Sequence, residues 1–392
     1  MKILIISHEY PPVGGGGANA CSALAHEFAE AGNTVLVLTA GYRGTPAHES
    51  LAGGNLRITR VDAKRRYRDH CSAPEMMDYV MKASAEADDV LKRERYDVCL
   101  CFFGIPGGIL ARRLRKKYGL RYIIRMGGGD IPGFQNRFRR LYRLSEPELR
   151  RIWRDADALV ANSEGLRETA LGFCDRYPVR VITNGVDTDV YTPSDERRTD
   201  DGPVRLLTVC RLIERKGIQD VIPEIRNIEK RTGRSIRWVI AGDGPYRQTL
   251  EELARDSGAE GCMEFRGLVE KGDMSELYRQ ADIFVFPSYR EGMPNAVLEA
   301  MASGLPVIMR EGCQGADELI RDNGIAARGS FADALAELIG AGRDRWREMG
   351  CYGRQMVLGS YMWERIAGQY MDLLELAAGI SAEKTGEKRK DV

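Results

Sequence analysis

Two cations five residues apart follow an apolar run in the second half of the chain. Arg211 and Lys216 lie directly after a strand predicted at Val204–Val209, in a turn that ends at Gly217. An arginine presents a planar fork that matches two phosphate oxygens, and a lysine adds a compact positive charge. Both side chains can converge on one anion across the turn. The alternative is an ordinary basic turn that faces water.

Two glutamates eight residues apart, Glu291 and Glu299, lie further along the chain. A strand is predicted before them at Ile283–Phe286, and a helix is predicted to begin near Asn295. Carboxylates facing one cleft can accept hydrogen bonds from several hydroxyl groups, and the free N–H groups at a helix start attract phosphate. Taken alone, the pair is explained equally well as exposed acids at the end of a helix.

A glycine-rich segment, Pro11–Gly17, separates the first predicted strand from the first predicted helix. Its four glycines allow a ligand to approach the backbone closely, and the helix start behind them suits an anionic diphosphate. The pattern is neither GxGxxG nor GxxxxGK[ST], so it predicts neither NAD nor ATP binding. The alternative is a flexible turn.

The elements that must position these residues form two successive series. Predicted strands such as Lys2–Ser7 and Asp97–Phe103 alternate with predicted helices such as Gly217–Arg231. This alternation indicates parallel sheets covered on both faces. The sequence therefore predicts an α/β protein with two Rossmann-like, doubly wound domains that face each other across a cleft. The predicted parts are a first domain at 1–190, a polar linker at 191–203, a second domain at 204–360, a helix at about 361–378 that packs back on the first domain, and a disordered tail at 379–392.

Bulk composition excludes several classes of protein. The chain has 392 residues, 43% hydrophobic and 29% charged, with a net charge of +1. This balance is typical of a soluble protein, and the sequence contains no apolar run of spanning length. Nine cysteines without CxxC spacing and four unclustered histidines predict reduced thiols, a cytoplasmic location and no metal site. Near neutrality argues against a nucleic acid partner.

Taken together, the motifs resemble those of glycosyltransferase family 4, whose members are retaining enzymes of the GT-B fold. The resemblance covers nearly the whole chain and is strongest over Val204–Ile308. The family motifs found here are E-x7-E at Glu291 and Glu299, R-x4-K at Arg211 and Lys216, GDGP at Gly242–Pro245, NGVD at Asn184–Asp187, and EAMASGLPVI at Glu299–Ile308.

The resemblance implies a catalytic role for Glu291, Arg211 and Lys216. The two cations are expected to bind the donor diphosphate as it leaves, and Glu291 to contact the donor sugar. Glu299 is expected to hold the ribose hydroxyls, and the backbone of Val269 to read the base. Further donor-binding positions implied in the same way are Gly16, Gly17, Gly242, Gly292, Met293, Pro294 and Asn295. No metal and no cofactor is implied, because the nucleotide sugar is a substrate.

Two departures from the family pattern concern the site. Family members often carry a histidine before a GxD motif in the first domain, whereas Arg125–Phe134 contains none. Asp130 or Arg125 is expected to serve the acceptor side instead. Cys210 stands where the family usually has a glycine before the first arginine.

The first 190 residues are net basic, with 29 Lys and Arg against 23 Asp and Glu. Three stretches contribute, Lys64–Arg68, Arg112–Lys117 and Arg137–Leu144. Basic and apolar helix faces can bind anionic lipid, which would suit a peripheral enzyme with a polyprenyl-diphosphate-linked acceptor. The alternative is ordinary solvated helices whose apolar residues pack inward.

The predicted function is retaining transfer of a hexose or N-acetylhexosamine from a nucleotide-diphosphate sugar, with UDP expected from the family, to a glycan or lipid-linked acceptor in cell-envelope polysaccharide or glycoconjugate synthesis. Two alternatives remain. One is a nucleotide-sugar epimerase of the GT-B fold, and the other is a catalytically silent sugar-binding protein.

Overall fold

A computed structural model describes residues 1–68, 70–134, 139–194, 202–313 and 315–380, with only the backbone at positions 139–141, 271 and 317. The chain divides into two compact units, which are unit 1 (Met1–Thr183 with Trp363–Val392) and unit 2 (Asn184–Met362). The division falls before the predicted linker, because the residues that follow Asn184 hydrogen-bond within unit 2. Most of that linker, 195–201, and most of the predicted tail, 381–392, lie outside the described residues.

In the described part of unit 1, eight strands form one sheet in the order β3-β4-β2-β1-β5-β6-β7-β8. All neighbours pair in parallel except β3 and β4. The bounds are β1 Lys2–Ile6, β2 Thr34–Ala40, β3 His48–Leu51, β4 Leu56–Val61, β5 Val98–Phe102, β6 Tyr122–Arg125, β7 Ala158–Ala161 and β8 Val179–Val181. The helices are α1 Gly16–Glu30, α2 Ala73–Arg93, α3 Gly108–Tyr118, α4 Arg139–Asp155 and α5 Glu164–Phe173.

Side chains of β1 show how the sheet of unit 1 is covered on both faces. Ile3 and Ile5 pack into the core beneath α1, whereas Leu4 and Ile6 pack into the core beneath α2 and α3. Successive side chains of a strand point to opposite faces, so a strand buried on both sides must be apolar throughout. The predicted doubly wound arrangement is therefore present in unit 1.

In unit 2 the described residues form a second sheet in the order β11-β10-β9-β12-β13-β14, with every pair parallel. The strands are β9 Val204–Val209, β10 Ile236–Ala241, β11 Met263–Gly267, β12 Ile283–Phe286, β13 Val307–Arg310 and β14 Gly324–Ala327. The helices are α6 Ile225–Thr232, α7 Arg247–Asp256, α8 Lys271–Gln280, α9 Asn295–Ala302, α10 Ala316–Leu319, α11 Phe331–Gly340 and α12 Gly342–Ser360.

The helix predicted at Gly217–Arg231 forms only in its second half. Gly217 has a left-handed backbone, and short 3-10 turns continue to Glu224 before α6 begins at Ile225. Pro223 has no N–H to donate, and its ring blocks the preceding turn of a regular helix. The predicted start of this helix was therefore wrong.

The last helix, α13 (Trp363–Ala378), belongs to unit 1 although it follows unit 2 in sequence. Its buried face, which includes Ile366, Tyr370 and Leu374, enters the same core as α1. The contiguous apolar core explains why the chain returns to unit 1, since an amphipathic helix is stable only where its apolar face is covered.

Candidate active site

The chain order of unit 2 reverses between β9 and β12. Strands β10 and β11 lie on one side of this point, and β12, β13 and β14 lie on the other. Ligands of open parallel sheets bind outside the carboxyl ends of the strands at such a switch point. The loops that follow β9 and β12 are therefore the candidate site, and they carry the two predicted motifs.

Lys216 and Glu291 meet at this point. The Nζ of Lys216 donates to Oε1 of Glu291 at 2.7 Å, and the two side chains are only 12% and 13% exposed. The ammonium also lies 4.9 Å from the centroid of the Phe286 ring, at the end of β12. Burial alone would raise the pKa of Glu291, but the charges of Lys216 and Arg215 outweigh it and hold the pKa below its usual range. The carboxylate of Glu291 is therefore ionised at neutral pH.

Two further residues hold Glu291, and neither was given a role from the sequence. Arg215 donates to Oε1 of Glu291 at 3.1 Å and to the carbonyl of Arg290. The hydroxyl of Ser288, which is fully buried, donates to the same carboxylate oxygen at 2.6 Å. Arg215 lies next to Lys216 in the same basic turn and could have been noticed there. Ser288 carries no sequence signal beyond its position just after a strand.

Arg211 lies two residues beyond β9 and is half-buried. Its neighbours on either side are tied to the next strand, because Cys210 donates to Ala241 at 3.1 Å and Leu212 donates to Asp243 at 2.9 Å. The structure thus fixes the backbone of Arg211 at the carboxyl end of β9.

Three glycines bring the loops of this edge into backbone contact. Gly217 has φ 69°, and a Cβ there would overlap the carbonyl oxygen of Pro287. A Cβ on Gly242, with φ 134°, would overlap the carbonyl oxygen of Cys210. At Gly315 a Cβ would lie 2.7 Å from the carbonyl oxygen of Gly292. Only glycine permits such approaches.

The segment Gly292–Asn295 leads into α9. Met293 and Pro294 are buried, and the helix begins at Asn295. The side-chain amide of Asn184 donates to Oδ1 of Asn295 at 2.6 Å, with a second contact to the carbonyl of Met293 at 3.4 Å. The NGVD turn therefore anchors the start of α9, a contact between residues more than 100 positions apart.

Glu299 and Val269 lie on the same edge of the sheet. Glu299 is in the second turn of α9 and accepts a hydrogen bond from the phenol of Tyr278 at 2.8 Å. Val269 lies between β11 and α8, two residues after Gly267, whose carbonyl accepts from the N–H of Gly242 at 2.7 Å. The unit 2 residues assigned from the family resemblance thus follow four neighbouring strands, β9, β10, β11 and β12. Their roles remain predictions.

Gly16 and Gly17 form the start of α1 in unit 1. A Cβ on Gly17 would lie 2.7 Å from the ring of Phe103, and a Cβ on Gly127 would overlap the same ring. Phe103 itself has φ 69°, an unfavourable value for a residue with a side chain. Such strain clusters at ligand sites, and Phe103 follows the carboxyl end of β5.

Asp130 and Arg125 have structural contacts in unit 1. Asp130 accepts hydrogen bonds from the N–H groups of Gly104 at 2.7 Å and Gly127 at 2.9 Å, and so joins the loops after β5 and β6. Arg125 is 2% exposed, and its guanidinium lies 5.0 Å from the Phe102 ring. Both residues are buried, and their expected role on the acceptor side stays a prediction.

The basic stretches of unit 1 are largely paired with acids where the structure describes them. On α3, Arg113 and Lys117 both bind Asp88, and Arg115 binds Asp157. The side chain of Arg65 is only 1% exposed and contacts Glu9. These contacts favour the interpretation as ordinary packed and paired surfaces. Of the third stretch, residues 137 and 138 and the side chains at 139–141 lie outside the described residues. Within the described ranges, no helix is both long and apolar enough to cross a membrane.

Comparison with known proteins identifies the family of the chain. The sequence model of the family Glycosyltransferase Family 4 matches residues 14–190, and that of the family Glycosyl transferases group 1 matches residues 203–341. Together the two matches span most of the chain. A GDP-mannose-dependent alpha-(1-6)-phosphatidylinositol monomannoside mannosyltransferase of Mycobacterium tuberculosis is 26% identical over 401 residues, which cover 95% of this chain and 98% of that protein.

Two solved structures show the same fold. Sucrose-phosphate synthase of Thermosynechococcus elongatus superposes with a TM-score of 0.81 at 20% identity, covering 97% of this chain and 100% of the other. The Anabaena protein HepE, in complex with UDP and glucose, superposes with a TM-score of 0.73 at 17% identity, covering 96% and 100%. The chain therefore belongs to glycosyltransferase family 4, the group 1 glycosyl transferases, and is a glycosyltransferase of the GT-B fold.

Proposed function

We propose that the chain is a retaining, metal-independent glycosyltransferase. It moves a hexose or N-acetylhexosamine from a nucleotide-diphosphate sugar, UDP being the first candidate, to a lipid-linked or other glycan acceptor in cell-envelope synthesis. The observation that carries this proposal is the buried contact of Lys216 with Glu291 at the switch point of unit 2.

The charges of this cluster favour a diphosphate. One carboxylate, Glu291, is shared by two cations, Lys216 and Arg215, so the three groups together keep a positive charge. A fixed cation in a partly buried site interacts more strongly with an anion than it would in water. As the bond between sugar and diphosphate breaks, negative charge grows on the departing oxygen, and Lys216 with Arg211 would stabilise it.

Metal independence follows from the same reasoning. Positively charged side chains can supply the charge stabilisation that a divalent ion gives in other sites. Retention is proposed from membership of the family. Glu291 would then hold a sugar hydroxyl, since its carboxylate is kept ionised by its cationic neighbours.

The acceptor and the base are proposed from the relatives. The mycobacterial relative is named for GDP-mannose and for a phosphatidylinositol mannoside, which supports a lipid-linked acceptor in the cell envelope. The HepE complex contains UDP and glucose. The backbone of Val269 would contact the base, and the identity of a backbone contact does not follow from the side chain at that position. Both UDP-sugars and GDP-sugars are therefore tested.

The test is donor turnover with UDP- and GDP-sugars in the presence of EDTA, comparing the wild type with Lys216→Ala and Glu291→Ala. Removal of a group that stabilises developing negative charge costs about 100- to 1000-fold in kcat. We expect that loss for Lys216→Ala and a loss of turnover for Glu291→Ala. The exposed Lys230→Ala in the same unit is the matched control and should turn over like the wild type.

Each alternative gives a different result. Full activity of both variants contradicts the assigned site, and activity that EDTA abolishes contradicts metal independence. An epimerised nucleotide sugar formed without acceptor favours an epimerase, and donor binding without turnover favours a silent binding protein. The anomeric configuration of the product, read by NMR, decides whether transfer retains or inverts.

A further inference from the structure

Two buried phenols lie beside Glu299, and neither was given a role from the sequence. Tyr278, at the end of α8, donates its hydroxyl to Oε2 of Glu299 at 2.8 Å. The same hydroxyl lies 3.2 Å from the carbonyl of Ala296, which is about one turn earlier on α9. Tyr278 is therefore fixed against the helix surface that presents Glu299.

The second phenol comes from the segment that opens unit 2. The ring of Tyr191 meets that of Tyr278 edge to face, with centroids 5.5 Å apart, and Tyr191 lies close enough to Glu299 for the charge of that carboxylate to act on its hydroxyl. Arg354 of α12 holds this segment, because its guanidinium donates to the carbonyls of Tyr191 at 2.6 Å and of Ala302, the last residue of α9, at 2.7 Å. Tyr191 is thus anchored to the same helix as Glu299.

Both phenols are buried, Tyr278 completely and Tyr191 to all but 5%. Burial raises the pKa of each hydroxyl, so both remain protonated donors at neutral pH. A buried donor that loses its acceptor is destabilising, and a hydrogen bond to a charged acceptor is stronger than one to a neutral group. Both effects favour a Glu299 side chain that stays fixed against the Tyr278 hydroxyl.

Glu291 and Glu299 are therefore held in different ways. Glu291 is held by cations that a diphosphate would compete for, whereas Tyr278 contacts Glu299 through a neutral hydroxyl, which a diphosphate attracts less strongly than it attracts a cation. A carboxylate that contacts a buried neutral donor keeps this contact when the donor sugar binds. Such a group suits recognition of neutral hydroxyls.

We propose that Tyr191 and Tyr278 are positioning residues that hold the Glu299 carboxylate in the orientation that grips the donor ribose, and that they set the preference of the site for ribose over deoxyribose. This inference rests on the proposed function and on the ribose contact that the family resemblance implies for Glu299. The two phenols act through Glu299 and need no contact with the substrate.

The experiment measures the dissociation constants of UDP and GDP, and of their 2′-deoxy and 3′-deoxy forms, for the wild type, Tyr278→Phe and Tyr191→Phe. Tyr122→Phe is the matched control, since Tyr122 is a buried tyrosine of unit 1 whose hydroxyl donates to the carbonyl of Ile152 at 2.7 Å. Thermal unfolding of each variant reports the general cost of losing a buried hydroxyl.

For each phenol variant we expect the ribonucleotide to bind ~3- to 10-fold more weakly, the effect of about one net hydrogen bond. Binding of the deoxy form that lacks the gripped hydroxyl should change little, so the preference for ribose shrinks by the same factor. In turnover, KM for the donor rises and kcat is kept, because the ribose is remote from the bond that breaks.

Equal weakening of all the nucleotides, or an unchanged ribose preference, overturns the inference and leaves the proposed function intact. If the wild type binds neither UDP nor GDP, the proposed function fails and the inference fails with it. The Tyr122→Phe control should keep the ribose preference of the wild type even if its melting temperature falls.

Discussion

His8, at the end of β1, is a buried imidazole in a setting that disfavours its charge. Its ring lies 5.1 Å from that of Phe103, and the residue is 5% exposed. Burial, together with the charge of Arg65, lowers the pKa of His8 to about 3. The unfolded chain takes up a proton near pH 6.5, whereas the folded chain does not. Stability is therefore fully present above about pH 6.5 and is lost as the pH falls toward 3.

We expect this one residue to reduce the free energy of unfolding by about 1.4 kcal/mol per pH unit below pH 6.5, or about 2 kcal/mol at pH 5. In His8→Gln this part of the pH dependence should disappear. Urea unfolding between pH 7.5 and 4.5 measures it, with the exposed His48→Gln as the matched control. An unchanged pH dependence in His8→Gln would contradict the buried neutral imidazole.

At the scale of single residues, the sequence indicated Lys216 and Glu291 because each belongs to a recognisable motif, and the structure brings them into contact. Ser288, Tyr278 and Tyr191 were missed, because they matter only through their partners. Tyr278 is 21 residues from Glu299 in sequence, and no local pattern predicts which phenol reaches which carboxylate. The roles of all these residues in binding stay predictions.

At the scale of elements, the turn that carries Lys216 depends on Gly217. Gly217 and Gly233 share a left-handed backbone, with φ 69° and 66°, and both lie in unit 2. They differ in their surroundings. A Cβ on Gly217 would overlap the backbone of Pro287, whereas nothing lies within 4 Å of a Cβ on Gly233.

Gly233→Ala should therefore lower the free energy of unfolding by only about 1–2 kcal/mol, the cost of a left-handed backbone for a residue with a side chain. Gly217→Ala should lower the free energy of unfolding by about 1–3 kcal/mol more, because the new methyl group overpacks against Pro287. It should also lower donor turnover, because relief of this overlap moves the turn that carries Lys216. Chemical denaturation and donor turnover of the two variants measure both effects. Equal losses of stability in the two variants would show that the close approach to Pro287 is absent in solution.

Element prediction succeeded where one pattern dominated and failed where two patterns competed. Continuous apolar runs such as β1, β5 and β12 were predicted. β4 was missed, because Arg57 and Arg60 interrupt its apolar pattern, and their guanidinium groups are instead paired with Glu94 and Glu49. The helix predicted from Gly217 starts later in the structure, because Gly217 and Pro223 both interrupt a regular helix.

At the scale of the whole molecule, α13 closes the core of a unit that the chain left about 180 residues earlier. Four of its side chains, Ile366, Tyr370, Leu373 and Leu374, are at most 5% exposed. Burying a large apolar side chain contributes about 1.5–3 kcal/mol, so the four together are comparable to the net stability of a typical domain.

A chain that ends at Met362 should therefore lose the cooperative unfolding of unit 1. Limited proteolysis with mass spectrometry should find cuts within residues 1–183, while fragments of unit 2 persist. A chain that ends at Ile380 keeps α13 whole and is the matched control. Equal resistance of unit 1 in both truncated chains would contradict the structural role of α13.

The two doubly wound units were predictable from sequence because alternation of apolar strands and helices is repeated along the chain. The position at which the chain passes from unit 1 to unit 2 was not predictable. The polar stretch at 191–203 was predicted as the linker, but Asn184, Tyr191 and neighbouring residues are bound within unit 2 by contacts with Asn295 and Arg354. Such long-range contacts leave no mark in local composition.

The backbone contacts at Gly217, Gly242 and Gly315 also limit how this enzyme can be re-engineered. No substituent larger than hydrogen fits at these positions, so saturation libraries there would yield mostly misfolded clones. Leu268 and Tyr289, 73% and 44% exposed on loops of the same edge, have room for other side chains. Substitutions intended to change the donor specificity are better made at these two surface positions, while the three glycines are kept.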